Sequence, residues 1–166
     1  MAIRLGPVSD SSMRMKALGQ SRRLLVAAPA YLAERGRPAT PQELIGHEGI
    51  RMSNVSGSET LALQGRDGKY HAVPFGGRLR VDHGLAVREA LIAGRGIVPA
   101  HRWLVGDLLE AGRIEAVLPG YSLPSVPLNM LIVPERAGIS RVRLLIDFLA
   151  NEIGKLPGMD RSPNGQ

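Results

Sequence analysis

Apolar and polar positions alternate through Arg78, Leu79, Arg80 and Val81, stop at Asp82, and give way from Gly84 to Ala93 to a run in which only Arg88 and Glu89 are polar. The alternation predicts a strand and the run a short helix, after which residues 94–99 supply two glycines and a second apolar strand. A strand-helix-strand unit results. With so few polar positions, the helix is expected to be covered on more than one side. Asp82 is its expected N-cap, a carboxylate able to accept from first-turn N–H groups, and Gly94 its expected left-handed terminator. A helix that opens from a strand end also presents backbone donors to an anion.

The same reading extends along the chain. Residues 2–5 form a short strand, residues 6–12 a polar loop and residues 22–28 a second strand. Pro29 starts a short helix that Gly36 ends. Thr40, Pro41, Gln42 and Glu43 have the form of a capping box with proline at the first helical position. Residues 50–53, 60–63 and 70–73 read as strands, the last two joined by a turn at Arg66, Asp67 and Gly68. A helix from Trp103 ends near Gly112, with a strand over residues 114–118 behind it. Prolines from Pro119 to Pro127 mark a connector, and the nearly continuous apolar run 128–133 a strand buried on both faces. Val142, Leu145, Ile146, Leu149 and Ile153 make a helical stripe with Ser140 as cap, and the chain frays from Lys155. Strands alternating with helices predict an α/β fold with largely parallel pairing.

Composition narrows the function. At 166 residues, 44% hydrophobic and 22% charged, the chain can build one domain or two small lobes. It has no cysteine, which excludes disulfides, thiolate zinc sites and a cysteine nucleophile and fits a reducing setting. Residues 1–5 lack a signal-peptide pattern and no stretch is long enough to span a membrane, so a soluble cytoplasmic product is expected. The net charge of +6 is uneven, with seven basic residues against Asp10 and Glu34 in residues 1–40. Aromatic residues make up only 4%, and no helix-turn-helix or zinc-finger pattern occurs. A domain that attracts anions is expected rather than one that reads bases.

The four histidines, His47, His71, His83 and His101, match no zinc-ligand spacing, and His47 reads as a packing or capping residue. There is no G-x-S-x-G elbow, and Ser9, Ser11 and Ser12 have no identifiable base. Gly94, Arg95 and Gly96 follow a helix rather than open one, which is wrong for a dinucleotide loop. No catalytic residue, metal site or cofactor is proposed.

The ordered segments AIRLG with the following DSS, RRLLVAAPAYLAERGRPATPQELIGHEGI, GRLRVDHGLAVREALIAGRGIVP, WLVGDLLEAGRIEAVLP and RVRLLIDFLA cover residue 2 to about residue 153. In this order the chain resembles the effector-binding region of a LysR-type transcriptional regulator. The resemblance implies a type 2 periplasmic-binding-protein-like fold with a small-molecule cleft between lobes joined by crossing strands. Residues 25–118 would form the second lobe, residues 1–24 and 119–154 a partial first lobe, and residues 155–166 a flexible tail. Family members carry a winged helix-turn-helix, a linker helix and the opening elements of the first lobe before the position that Ala2 matches. The expectation is therefore an incomplete gene product or a mis-set start, with the strand at 128–133 and the last helix short of apolar cover.

Family position combined with local chemistry places Gly6, Ser9, Ser53, Asp82, His83, Val98 and Pro99 at the cleft. Small hydroxyls, backbone N–H groups and a helix N-terminus suit a small organic acid. Asp82 would repel an anion, so it either caps the helix or binds a ligand donor. The implied partners are a small-molecule effector, further copies in a full-length parent, and DNA only through the absent N-terminal domain, with no membrane. A stand-alone solute-binding module, an inactive relic of such a regulator and an enzyme using an α/β cleft are the alternatives.

Overall fold

The computed structural model describes residues 1–8, 12–53, 55 and 57–160. In chain order it forms β1 (Ala2–Leu5), β2 (Arg14–Ser21), β3 (Arg23–Ala27), α1 (Pro29–Arg35), a 3₁₀ helix (Pro41–Gly46) and β4 (Arg51–Met52). There follow β5 (Thr60–Gly65), β6 (Tyr70–Pro74), β7 (Arg80–Val81), α2 (Gly84–Ile92), β8 (Val98–His101) and α3 (Arg102–Glu110). The last part comprises β9 (Glu115–Val117), β10 (Tyr121–Ser122), β11 (Val126–Ile132), a 3₁₀ turn (Pro134–Arg136), α4 (Ser140–Ile153) and β12 (Met159–Asp160). Two compact units emerge, one of Met1–Arg22 with Ser125–Gln166 and one of Arg23–Pro124.

In the first unit the sheet order is β1-β11-β2-β12, antiparallel throughout. Leu18, Met130 and Ile132 pack against Ile146, the buried residue of α4, with Val142, Leu149 and Ile153 half-buried beside them. Strand β2 has no counterpart in the sequence reading, which places a loop and then a strand from residue 22. Its pattern is broken by Gly19, where the register with β11 shifts and a Cβ would stand 2.5 Å from the Asp160 carbonyl oxygen. Glycine inside a strand marks such a close backbone approach. That approach is β12, so residues 155–160 are not a frayed tail: Arg22 also grips Asp160 in a two-pronged ion pair, Nε to Oδ2 at 2.5 Å and Nη2 to Oδ1 at 2.6 Å.

The second unit is layered about β3, whose alternate residues face two cores. Leu25 and Ala27 join Leu44, Leu61, Leu63, Val73 and Phe75 on one side, whereas Val26 joins Val87, Leu91, Val105 and Leu108 of α2 and α3 on the other. Pairing is mostly antiparallel, contrary to the expectation: β3 lies between β8 and β9, and β5 between β10 and β6. Alternating strands and helices do not oblige each strand to pair with its sequence neighbour. The parallel part is β4 with β7 and the bridge from Gly49 to Ile97, so β7 and β8 run the same way with the β4 segment between them.

Helix α2 also departs from expectation. Val87 and Leu91 are buried, but Leu85 is 61% exposed, so one stripe is covered. Ala86 and Ala90 make much of the run apolar without adding much surface that needs cover. The helix ends at Gly94 (φ +66), with Arg95 N–H donating to Ala90 O and Gly94 N–H to Leu91 O, as in the Schellman arrangement. Ser140 is the first residue of α4 rather than its cap, which is Ile139. At the Thr40 turn the capping box is inverted: the Glu43 carboxylate accepts from Ala39 N–H and Thr40 Oγ1, both at 2.9 Å, and the segment is 3₁₀.

Candidate functional site

Three candidate residues meet at one edge of the second unit. Because β4 and β7 are parallel, with Arg51 opposite Arg80 and Met52 opposite Val81, Ser53 and Asp82 follow side by side, and Ser53 N–H donates to Val81 O at 2.8 Å. His83, next in line, is the N-cap of α2: its Nδ1 accepts Leu85 N–H at 3.2 Å. The cap is therefore the imidazole, not the Asp82 carboxylate, because the chain reaches helical geometry one residue later than the pattern suggests. Asp82 and Ser53 are exposed.

The remaining candidates are placed differently. Val98 is 3% exposed and its side chain is part of the core, leaving Pro99, half-buried opposite Leu25, as the β8 residue nearer the surface. Gly6, in the first unit, is buried with φ +105; its N–H donates to Pro127 O at 2.8 Å and its carbonyl accepts from Asn129 Nδ2 at 3.3 Å. Ser9 lies outside the described residues.

Two arginines that the sequence reading did not single out stand beside this edge. Arg51 and Arg80 pair across β4 and β7, two residues before Ser53 and Asp82. Glu59 bridges both guanidiniums, at 3.4 Å from Arg51 and 2.8 Å from Arg80. The Arg51 side chain is only 12% exposed, and its buried Nε has no hydrogen-bond partner among the described residues. The available signal was a charged residue between Ile50 and Met52 inside an otherwise apolar strand, since arginine is rarely buried without partners.

At the end of β8, His101 stacks on Trp103 with ring centroids 5.7 Å apart. Burial, reinforced by Arg23, lowers its pKa from 6.5 to about 4, so the imidazole is neutral near pH 7. Arg23 donates Nε and Nη2 to Pro124 O, and burial lowers its pKa as well. His47 Nδ1 and the Tyr31 hydroxyl share a hydrogen bond at 3.2 Å, and that hydroxyl accepts Glu48 N–H at 2.9 Å, a packing role. Among the described residues no group of three or more His, Asp or Glu could hold a metal ion, and no helix is long and apolar enough to cross a membrane.

The model of the family described as LysR substrate binding domain matches residues 1–154. The HTH-type transcriptional regulator CrgA of Neisseria meningitidis serogroup B (strain ATCC BAA-335 / MC58) is 30% identical over 156 residues, which is 93% of this chain and 51% of that protein. The solved regulatory domain of CrgA superposes with a TM-score of 0.80 at 28% identity, over 92% of this chain and 74% of that one. The full-length virulence activator AphB of Vibrio cholerae does so with a TM-score of 0.76 at 27% identity, over 90% and 50%. The chain thus spans about half the length of the curated relatives it matches. The match is to the regulatory domain of these proteins, which has a periplasmic-binding-protein-like fold, and the relatives are named as transcriptional regulators.

Proposed function

From the premise that this chain belongs to the LysR substrate-binding domain family, we propose that it is the effector-sensing part of a LysR-type transcriptional regulator. It binds a small organic acid in a cleft between two lobes, with residues 25–118 as the second lobe and residues 1–24 and 119–154 as part of the first. A ligand that favours one lobe arrangement shifts the population toward it, and the oligomeric, cytoplasmic regulator then sits differently on its promoter. DNA contact belongs to another segment of the regulator.

The observation that carries the acid is Arg51. A guanidinium largely withdrawn from solvent, reached by Glu59 and by Gly77 O only at 3.4 Å and with Nε unpartnered among the described residues, suits a carboxylate that takes the place of Glu59 better than a neutral molecule. The N-terminus of α2 adds backbone donors at the same edge.

Thermal melting in the presence of a panel of small carboxylic acids tests this reading. A ligand at about a hundred times its Kd stabilises by about 2.7 kcal/mol, a readily measured shift. The shift is expected to disappear in Ser53→Ala and Arg51→Gln. A ligand whose effect survives both substitutions binds elsewhere and refutes the assignment.

A further inference from the structure

The β10-β5-β6 sheet of the second unit carries a recess lined by none of the residues placed at the β4–β7 edge. Leu61 and Leu63 of β5 point into the core, and Gly65 is the next position on that face. No side chain projects there from Gly65 itself, and the Asp67 Oδ1 lies 2.7 Å from where its Cβ would stand. Beside Gly65 stand two rings: His71, paired with Leu63, and Tyr121, paired with Gly65. They meet edge to face, with centroids 5.6 Å apart and planes at 81°. The opening measures about 440 Å³ and is lined by Gly65, Arg66, Asp67, His71, Gly120 and Tyr121. A second opening of about 240 Å³ shares Gly65, Arg66, Gly120 and Tyr121 with it and is also lined by Gln64, Pro119 and Ser122.

The rim is held by the turn that the sequence signals. Gly68 N–H donates to Gly65 O at 3.0 Å, Gly65 N–H donates to Lys69 O at 2.9 Å, and Gly68 has φ +80, the type I turn with a glycine bulge. Arg66 leaves this turn toward Gly120, its Nε lying 3.9 Å from where a Cβ on Gly120 would be. Asp67 is answered within the turn, accepting Lys69 N–H at 3.1 Å with Lys69 Nζ at 3.7 Å. No hydrogen bond or ion pair joins Arg66 to the described residues, and its guanidinium shares the lining of the recess with the Asp67 carboxylate and the two rings.

We propose that this recess binds a small planar monocarboxylate, at a site separate from Ser53, Asp82 and His83. The carboxylate lies against the Arg66 guanidinium, whose fork matches two carboxylate oxygens, and the flat body against His71 and Tyr121. The space is within the range of small-molecule pockets.

Titration of the full ¹⁵N-labelled chain with benzoate, followed by amide chemical shifts, tests the proposal. Saturable shifts centred on Gly65, Arg66, Gly120 and Tyr121 are expected, with a Kd of order millimolar. Benzamide, flat but neutral, and acetate, charged but without a ring, are each expected to bind at least about tenfold more weakly. Arg66→Gln, on an exposed turn, should weaken benzoate by about tenfold, and Gly65→Val, whose side chain would crowd Asp67 Oδ1 and the Tyr121 ring, should abolish its binding. If Gly65→Val does not fold, Arg66→Gln decides. Shifts that do not saturate, or that Arg66→Gln leaves unchanged, overturn the proposal. Shifts confined to Ser53, Asp82 and His83 overturn it too, while supporting the separate effector site.

Discussion

His83 Nδ1 accepts the Leu85 backbone N–H at 3.2 Å and so closes the first turn of α2. An imidazole in this role can be replaced by another short acceptor. His83→Ala is expected to lower stability by about 1 kcal/mol, and His83→Asn to retain most of it. Urea midpoints of the two variants check this; equal losses in both would mean that the ring contributes through something other than the cap.

Arg88 ties α2 to α3. Its Nη1 donates to Asp107 Oδ1 at 2.6 Å and to Leu104 O at 2.8 Å, and its Nη2 donates to Asp107 Oδ2. Arg88 holds the Asp107 carboxyl at about 2 against its ordinary 3.8. The folded state therefore binds its proton less readily than the unfolded chain, so the contribution is present above 3.8 and lost as pH falls toward 2. The melting-temperature difference between the native chain and Asp107→Asn is expected to be larger at about pH 5 than at about pH 2.

His101 acts over a higher window. With its pKa at about 4 in the folded chain and 6.5 ordinarily, the unfolded chain takes up the proton first as pH falls. Stability is full above 6.5 and declines from there to about 4, by an amount on the order of 2 kcal/mol. His101→Gln should flatten this limb of the pH–stability curve and leave the Asp107 limb in place.

Gly96 has φ +148, and a Cβ there would stand 2.1 Å from the Glu48 carbonyl oxygen, the acceptor of Ile97 N–H. Gly112 also has a positive φ, +66, but open space around it. Gly96→Ala should therefore lose clearly more than Gly112→Ala, which carries only backbone strain of about 1 kcal/mol. Comparable denaturant midpoints for the two would show that β8 can shift away from Glu48 without loss.

Where local chemistry decides the structure, it was legible in the residues. The Arg66 to Gly68 turn, the Gly94 terminator and the apolar run that becomes β11 each carry their own signal and form as expected. Where a distant partner decides, the reading failed. Strand β2 exists because β11 and β12 flank it, and nothing in the alternation of Arg14 to Ser21 announces them. Antiparallel pairing of β3 is likewise set by chain segments about seventy and ninety residues later. At the candidate site, Ser53 and Asp82 could be brought to one edge by family position. Arg51 became visible only once its burial was known, and the assignment of the cap to His83 required backbone geometry.

The central claim is tested most directly by the effector dose response of a full-length regulator carrying this region, with operator binding measured alongside. Ser53→Ala and Asp82→Ala are expected to move the dose response by about tenfold or more while operator binding without effector stays unchanged. An unaltered dose response in both variants would contradict the account and remove the β4–β7 edge from the sensing site.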